Sequence, residues 1–407
     1  FYNDSYSVAG GVSGIGAASN NEVVISGDDT VVNENGGAIL GGKSSFAQAD
    51  ENTVSISGGT VKGAVYGGMN YTVTSRNVID GETPEEHTQL TGTVSNNEVI
   101  ISGGTVTGQI YGGKGAASAT GNTVTIKDNA VLEEGSSIYG GSALSKYVTY
   151  TFVFDSSYHI EETVDKVEYG TVTNNTVNIE GNASVTSEIA GGYGEGGDNK
   201  ENKVYVKGGS VTGNVYGASL DSAESTTGSV ISNEVHISSG TVTGNVYGGA
   251  VEGSVAGDVK GNKVEISGGT VTKWVYGGYS ENGTAGGDAA DDGNSVTVTG
   301  GTVTGDVIGG YSKEGNAKYN TATMSDGSVS HLDGGRAGYN SSSTVGGGDA
   351  TYNTVNVTGG KASIAVRGGY TFKGDATNNT VNFGGSATAS EVDGGATYQG
   401  NANENTV

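Results

Sequence analysis

Few residues in this sequence could carry out catalysis or bind a metal, and they lie far apart along the chain. The four histidines, His87, His159, His236 and His331, are solitary. The densest acidic segment, DAADDGN at 288–294, has no basic residue beside it. Hydrolysis of a glycosidic bond needs a facing pair of carboxylates, and the other acidic residues are dispersed. The sequence therefore predicts a protein that is not an enzyme and has no cofactor.

Two oxygen-rich segments leave calcium binding open as an alternative. They are GEGGDN at 194–199 and DAADDGN. Carboxylate and carbonyl oxygens are the ligands that calcium prefers, but the nonapeptide repeat GGxGxDxUx, which binds calcium in β-helices, is absent. The sequence therefore predicts no metal site.

Binding residues are expected in two long insertions, 69–96 and 142–174. The second contains KYVTYTFVF followed by the turn residues DSSY, a pattern that predicts a β-hairpin. Loops on a rigid scaffold are common binding sites, although these could also be simple decoration with a small cluster of their own. The candidate binding residues are Arg76, His87, Tyr147, Tyr150, Phe152, Phe154, Tyr158 and His159.

Composition excludes several classes of protein. The chain has 407 residues, a formal charge of −25, a single proline and no cysteine. Because an acidic surface repels phosphate backbones, nucleic acid is not an expected partner. No apolar run approaches the ~20 residues of a membrane helix, so no membrane insertion by this segment is expected. Zero Cys excludes a disulfide framework and a Cys-based metal site.

The elements that position these residues are repeats, each beginning at an asparagine. Positions +2 and +4 after it are apolar, as Val54 and Ile56 are after Asn52, and positions +1 and +3 are mostly polar. This period of two predicts a half-buried strand. A Gly-Gly corner, a second short strand and a closing Gly-Gly corner follow. The variable segment before the next asparagine suggests a third strand of small residues.

The asparagines share the parity of the buried positions, so their side chains should point inward. Stacked amides can supply each other's donors and acceptors from coil to coil. The sequence therefore predicts a structural ladder made of Asn21, Asn52, Asn97, Asn122, Asn175, Asn202, Asn233, Asn262, Asn294, Asn320, Asn353, Asn379 and Asn405.

A coil of two or three short strands cannot bury its own apolar face, so it must stack on its neighbours. The expected fold is all-β: a parallel β-helix, or β-solenoid, of about 12 full coils of 25 or more residues, with the loop insertions at one corner. Stacked at ~4.8 Å, these coils would form a rod on the order of 60 Å long. Parallel crossovers favour a right-handed helix.

Tyrosines recur beside the closing glycines, as in VYGG. Stacked aromatic rows could bind sugar rings, but they more often form structural ladders. The sequence favours the ladder. One set is Tyr66, Tyr111, Tyr139, Tyr216, Tyr247 and Tyr276, and the other is Tyr193, Tyr279, Tyr311 and Tyr370.

Units such as NTVSISGGTVKGAVYGG and NKVEISGGTVTKWVYGG resemble the repeats of bacterial autotransporter passenger and large surface-adhesin proteins. The similarity covers nearly the whole chain. It implies a right-handed parallel β-helix in an extracellular location on the bacterial cell surface. The membrane β-barrel of an autotransporter is missing from this sequence, which leaves the export route open.

The resulting hypothesis is an adhesin or adhesin stalk, with a host or bacterial surface protein or a glycan as partner. Residues 1–20 would end a preceding coil, and 21–407 would form the β-helix of a longer chain. One alternative is a fibre or matrix subunit that associates head to tail, since neither end resembles a solenoid cap. A polysaccharide-active enzyme is the third hypothesis, and it would require a carboxylate pair across coils.

Overall fold

The protein is an all-β parallel β-helix, as the sequence predicted. The computed structural model describes residues 6–32, 37–45, 47–70, 76–79, 92–143, 147–154, 160–222, 228–253, 257–338 and 347–407. Within these ranges there is no helix, and each strand of the rod pairs in parallel with the equivalent strand of the next coil. His87, Tyr158 and His159 lie outside the described residues.

Most full coils contribute strands to four stacks that run along the rod. The first stack, which begins at the repeat asparagine, contains Glu22–Ile25, Thr53–Ile56, Glu98–Ile101, Thr123–Ile126, Thr176–Ile179, Lys203–Val211, Glu234–Val242, Lys263–Ile266, Ser295–Val298, Thr321–Met324, Thr354–Val357 and Thr380–Phe383. The separate strands of the second stack are Val31–Val32, Thr60–Val61, Thr105–Val106, Val131–Leu132, Ser184–Val185, Thr270–Val271 and Thr302–Val303.

The third stack is the longest. It contains Tyr6–Ser13, Ala38–Ser44, Val65–Asn70, Ile110–Gly115, Ile138–Ala143, Ile189–Gly194, Val215–Ser222, Val246–Gly253, Val275–Ser280, Val307–Ser312, Ser328–Ala337, Lys361–Thr371 and Thr388–Thr397. The first three stacks join into one sheet because several strands continue from one stack into the next.

The fourth stack is the third short strand that the sequence suggested. Its strands are Thr93–Ser95, Ser118–Thr120, Thr171–Thr173, Asn199–Lys200, Val230–Ile231, Val259–Lys260, Ala285–Gly286, Ala317–Lys318, Ala350–Thr351 and Ala376–Thr377.

Alternating residues build the core. In Thr53–Ile56 the side chains of Val54 and Ile56 are buried and those of Thr53 and Ser55 are partly exposed. The pairing keeps equivalent residues in register, so Val54 lies beside Val99 of the next coil. The buried Val, Ile, Leu and Ala side chains of successive coils form one continuous apolar cluster along the rod. Burial of this cluster is the main force that stabilises the stack.

The repeat asparagines form an uninterrupted ladder. The Nδ2 group of each one donates to Oδ1 of the asparagine in the next coil at 2.8–3.1 Å, from Asn21 through to Asn405. Each Nδ2 beyond the first also donates to a backbone carbonyl that precedes the ladder asparagine of the preceding coil, as Asn175 does to Ala119 at 2.9 Å. The ladder therefore ties each coil to the segment that leads into the preceding coil.

The backbone turns sharply at the residue before the ladder asparagine. That residue has φ between about +53° and +68° in almost every coil, and it is a non-glycine residue in most, including Glu51, Ser232 and Tyr352. The left-handed conformation costs a non-glycine residue about 1 kcal/mol or more. The buried amide that follows holds the backbone there despite this cost.

The closing glycine pair does not form a corner, so that prediction is wrong. Gly67 and Gly68, for example, lie inside the third-stack strand Val65–Asn70. A Cβ atom on Gly68 would collide with Nδ2 of Asn97 and would lie 2.5 Å from the carbonyl oxygen of Ala49. Glycine is needed at this position because the ladder side chain occupies the space. The earlier pair does form a turn, since Gly59 has a φ of +80°.

Candidate functional site

The two insertions meet in one small sheet. Arg76–Ile79, from the first insertion, pairs in parallel with Tyr147–Phe154, which in turn pairs antiparallel with Ile160–Glu168. We call these three strands the insertion sheet. The antiparallel pair is the hairpin that the sequence predicted, and its first strand also pairs with the strand from the first insertion. Coil strands take up the ends of both predicted ranges, so the segments between consecutive coil strands are 71–92 and 144–170.

Several predicted binding residues are neighbours in this sheet. In the backbone register Tyr150 lies opposite Arg76, and Phe152 lies opposite Val78. Phe154 pairs with Ile160 on the other side. A register shift between Thr149 and Tyr150 breaks the regular alternation of the hairpin. The sequence predicted both insertions at one corner, but it did not predict the pairing between them.

A second prominent surface is the outer face of the third stack, where tyrosine rings stack on one another. Ring centroids are 4.9 Å apart for Tyr66 and Tyr111, 4.7 Å for Tyr216 and Tyr247, and 5.0 Å for Tyr247 and Tyr276. Each of these rings is at most 9 % exposed. Because neighbouring rings cover the ring faces, these rings form a ladder and present no open platform to a sugar.

The same ladder changes the ionisation of its hydroxyl groups. Burial, followed by the charge of Glu252, raises the pKa of Tyr216 above its ordinary value. Burial and the nearby Glu195 raise the pKa of Tyr193 to about 12. These hydroxyls therefore stay protonated at physiological pH and act as hydrogen-bond donors, as Tyr139 does to Glu188 at 3.0 Å.

Towards the later coils the tyrosine positions are taken by charged residues. In register, Tyr276 is followed by Ile308, Asp333, Arg367 and Asp393. The acidic residues are dispersed along the sequence, but stacking brings some of them together with basic residues on one outer face. The ionic cluster, as we call it, consists of Asp306, His331, Asp333, Arg336 and Arg367.

The ionic cluster is closely hydrogen-bonded. Nε and Nη2 of Arg367 each donate to the Asp333 carboxylate at 2.9 Å, and Nε of Arg336 donates to it at 2.7 Å. Arg336 also donates to Asp306 at 2.9 Å. Nδ1 of His331 lies 2.7 Å from the other oxygen of Asp306. Asp333 is fully buried, and Arg336 is 2 % exposed.

Opposite charges set the protonation of this cluster. Burial alone would raise the pKa of Asp333, but the guanidinium groups of Arg336 and Arg367 outweigh burial and hold the pKa below its usual range. Burial would likewise lower the pKa of Arg336, but Asp333 and Asp306 raise it. The arginines use both oxygens of the inaccessible Asp333, so this carboxylate cannot act on a substrate. The arrangement serves to cross-link coils.

The two oxygen-rich segments, GEGGDN and DAADDGN, do not bring calcium ligands together. In DAADDGN the carboxylates of Asp288, Asp291 and Asp292 are exposed, and in GEGGDN Asp198 pairs with Lys200 at 2.6 Å. No group of three or more Asp, Glu, His or Cys residues in the described ranges could hold a metal ion.

The part of the chain that the structure describes contains no helix of the length and apolar character needed to cross a membrane. Comparison with known proteins gives no match to a protein family, to a curated protein or to a solved structure.

Proposed function

We propose that this chain is the rod of an extracellular bacterial surface adhesin, and that the insertion sheet is its adhesive element. The observation that carries the proposal is the pairing of Arg76–Ile79 with Tyr147–Phe154, which joins insertions from two different coils. Decoration that arose separately in two loops has no need to share a sheet. The partner is a host or bacterial surface protein or a glycan.

The mechanism is projection followed by contact. Continuous parallel pairing along the coils makes the rod stiff. A stiff support fixes the insertion sheet before it meets its partner, so less conformational entropy is lost on binding. The uniform coils, held by the apolar core and the asparagine ladder, have a structural role in this proposal.

The test measures binding of the purified protein to a glycan array and to bacterial and host cells. Three variants replace 71–92, 144–170, or both with a short Gly-Asn turn. Because the insertions share one sheet, we expect either single replacement to reduce binding nearly as much as the double replacement. A matched control changes Asp288, Asp291 and Asp292 to Asn, which alters exposed charge but leaves the insertion sheet intact.

Each variant has to keep the urea unfolding transition of the rod, followed by circular dichroism, since the strands of the stacked coils are retained. Full binding by the double replacement would refute the insertion sheet as the adhesive element. Independent, additive losses from the two single replacements would refute the shared sheet as the functional unit.

A further inference from the structure

One coil carries a lysine and a tryptophan at two adjacent positions that are small or polar in the coils before it. Where two of the preceding coils have Gly213-Asn214 and Gly244-Asn245, this coil has Lys273 and Trp274, in the sequence ISGGTVTKWVYGG. Trp274 is the single tryptophan of the chain. Its backbone N–H donates to Oδ1 of Asn245 at 3.2 Å, just as Asn245 N–H donates to Asn214 Oδ1 at 2.9 Å. The substitution therefore changes the side chains on the surface and keeps the hydrogen bond to the preceding coil.

The indole ring is held in place although it is only half-buried. Its centroid lies 6.0 Å from that of Tyr276, and Cζ of the buried Arg336 lies 5.7 Å from it. On the next coil, a Cβ atom at Gly305 would lie 2.4 Å from the carbonyl oxygen of Lys273 and 2.6 Å from Cδ1 of Trp274, so a side chain there would collide with both the backbone and the ring. An aromatic ring fixed in this way loses little entropy when a ligand packs on it.

The ring borders a shallow cavity of about 520 Å³ that opens to solvent. The lining residues are Asn245, Thr272, Lys273, Trp274, Tyr276, Thr304 and Gly305. Lys273 is the one charged residue among them, and it is exposed, as are Thr272 and Thr304. On a chain with a formal charge of −25, this cavity offers a cation and no carboxylate.

These groups match the chemistry of an acidic sugar. The apolar face of a pyranose packs on an aromatic ring, and its hydroxyl groups form hydrogen bonds with Thr and Asn side chains. A lysine ammonium group forms a charge-assisted hydrogen bond with a sugar carboxylate. The volume of the cavity lies within the range of about 300–1,000 Å³ that is usual for small-ligand sites.

We propose that Lys273 and Trp274 form a binding site for an acidic saccharide, one that carries a uronate or sialate residue. The site lies on the coil surface and does not depend on the insertion sheet. It therefore adds to the proposed adhesive function a second contact of defined chemistry.

The test uses the single tryptophan as a reporter, with calorimetry as the second readout. The probes are sialyllactose with lactose as its neutral counterpart, and oligogalacturonate with its carboxyl-reduced form. We expect one or both acidic probes to change the Trp274 fluorescence and to bind at least about tenfold more tightly than the neutral counterpart, a ratio that corresponds to ~1.4 kcal/mol. Lys273→Ala should abolish this preference.

The matched control restores the repeat. Lys273→Gly combined with Trp274→Asn gives this coil the sequence ISGGTVTGNVYGG. Residues 237–249 have the same sequence except for one Ser in place of Gly. The fold is therefore expected to persist with unchanged circular dichroism. Calorimetry should show loss of binding in this variant and full binding in the double insertion replacement. No binding of either acidic probe, equal binding of the neutral probes, or full binding by the restored coil would each overturn the proposal.

Discussion

Removing one ladder asparagine should destabilise the rod far more than removing an asparagine from the strand that follows it. The Oδ1 atom of Asn175 accepts hydrogen bonds from the backbone N–H and from Nδ2 of Asn122, at 3.0 and 2.9 Å. Its Nδ2 group donates to Ala119, Thr173 and Asn202 at 2.9–3.0 Å. Asn175→Ala removes all of these bonds and leaves buried partners unsatisfied.

The expected cost follows from that count. A buried polar group left without a partner costs ~1–3 kcal/mol, and the Asn122 backbone N–H and part of its amide lose theirs. Some relaxation will offset the sum, so we expect Asn175→Ala to lower the free energy of unfolding by roughly 3–5 kcal/mol. The matched control is Asn178→Ala, since Asn178 is half-buried and makes one long contact, 3.4 Å, with Thr125. Its cost should be within ~0.5 kcal/mol.

Urea unfolding followed by circular dichroism measures both variants, and hydrogen exchange of the Asn122 amide reports the local effect. Because each coil contacts only its neighbours, exchange should accelerate at this coil before it does at distant coils. If the two variants lose free energy of unfolding to within about 1 kcal/mol of each other, the ladder is not a major source of stability.

Three further predictions concern the glycines, the ionic cluster and the tyrosines. Gly68→Ala should lower the urea midpoint strongly because its Cβ collides with Asn97 Nδ2, whereas Gly384→Ala, with open space around it, should have little effect. The depressed pKa of Asp333 stabilises the fold at pH values above the ordinary carboxylate pKa, and this stability is lost as pH falls through the lower pKa of the folded state. Asp333→Asn should therefore reduce the free energy of unfolding near neutral pH. It should also make the free energy of unfolding decline less steeply in acid. The pKa of Tyr193 is raised to about 12, which stabilises the fold at pH values below the ordinary tyrosine pKa, and this stability is lost as pH rises through the folded value. Absorbance titration should therefore show tyrosinate forming at a higher pH in the folded protein than in the unfolded chain. Tyr193→Phe should remove part of this high-pH absorbance change.

The coils could be predicted from the sequence because local alternation decides which residues are buried. Val54 and Ile56 follow Asn52 at the spacing that a half-buried strand requires, and every later coil repeats this spacing. The asparagines also had to face the interior, since they share the parity of these residues. The fold class and the ladder positions therefore followed from one strand pattern applied to many coils.

Features that depend on contacts between coils could not be predicted in the same way. The role of Gly68 became visible only when Asn97, from the following coil, was seen to occupy the space above it. The ionic cluster joins Asp306 to Arg336, thirty residues away, across coils of unequal length. A signal was nevertheless present, since alignment of the coils on VYGG places Asp333 and Arg367 in the tyrosine positions.

The pairing of the two insertions was also beyond local reasoning. Arg76 and Tyr150 pair across coils whose separation along the rod is fixed. The insertions that contain these two residues follow no repeat. The strand pattern of KYVTYTFVF predicted a hairpin, and nothing in that pattern identified Arg76–Ile79 as its third strand.

The asparagine ladder has a consequence for how such a protein changes between generations. Each joint between coils uses the same amide-to-amide contact in the same direction, so the ladder sets no fixed order for the coils. Unequal recombination that deletes or duplicates one whole repeat in frame recreates the joint that it breaks. The length of the rod can therefore vary by whole coils while the fold is kept, and the distance at which a surface element is displayed becomes a quantity that natural selection can adjust in steps of ~4.8 Å.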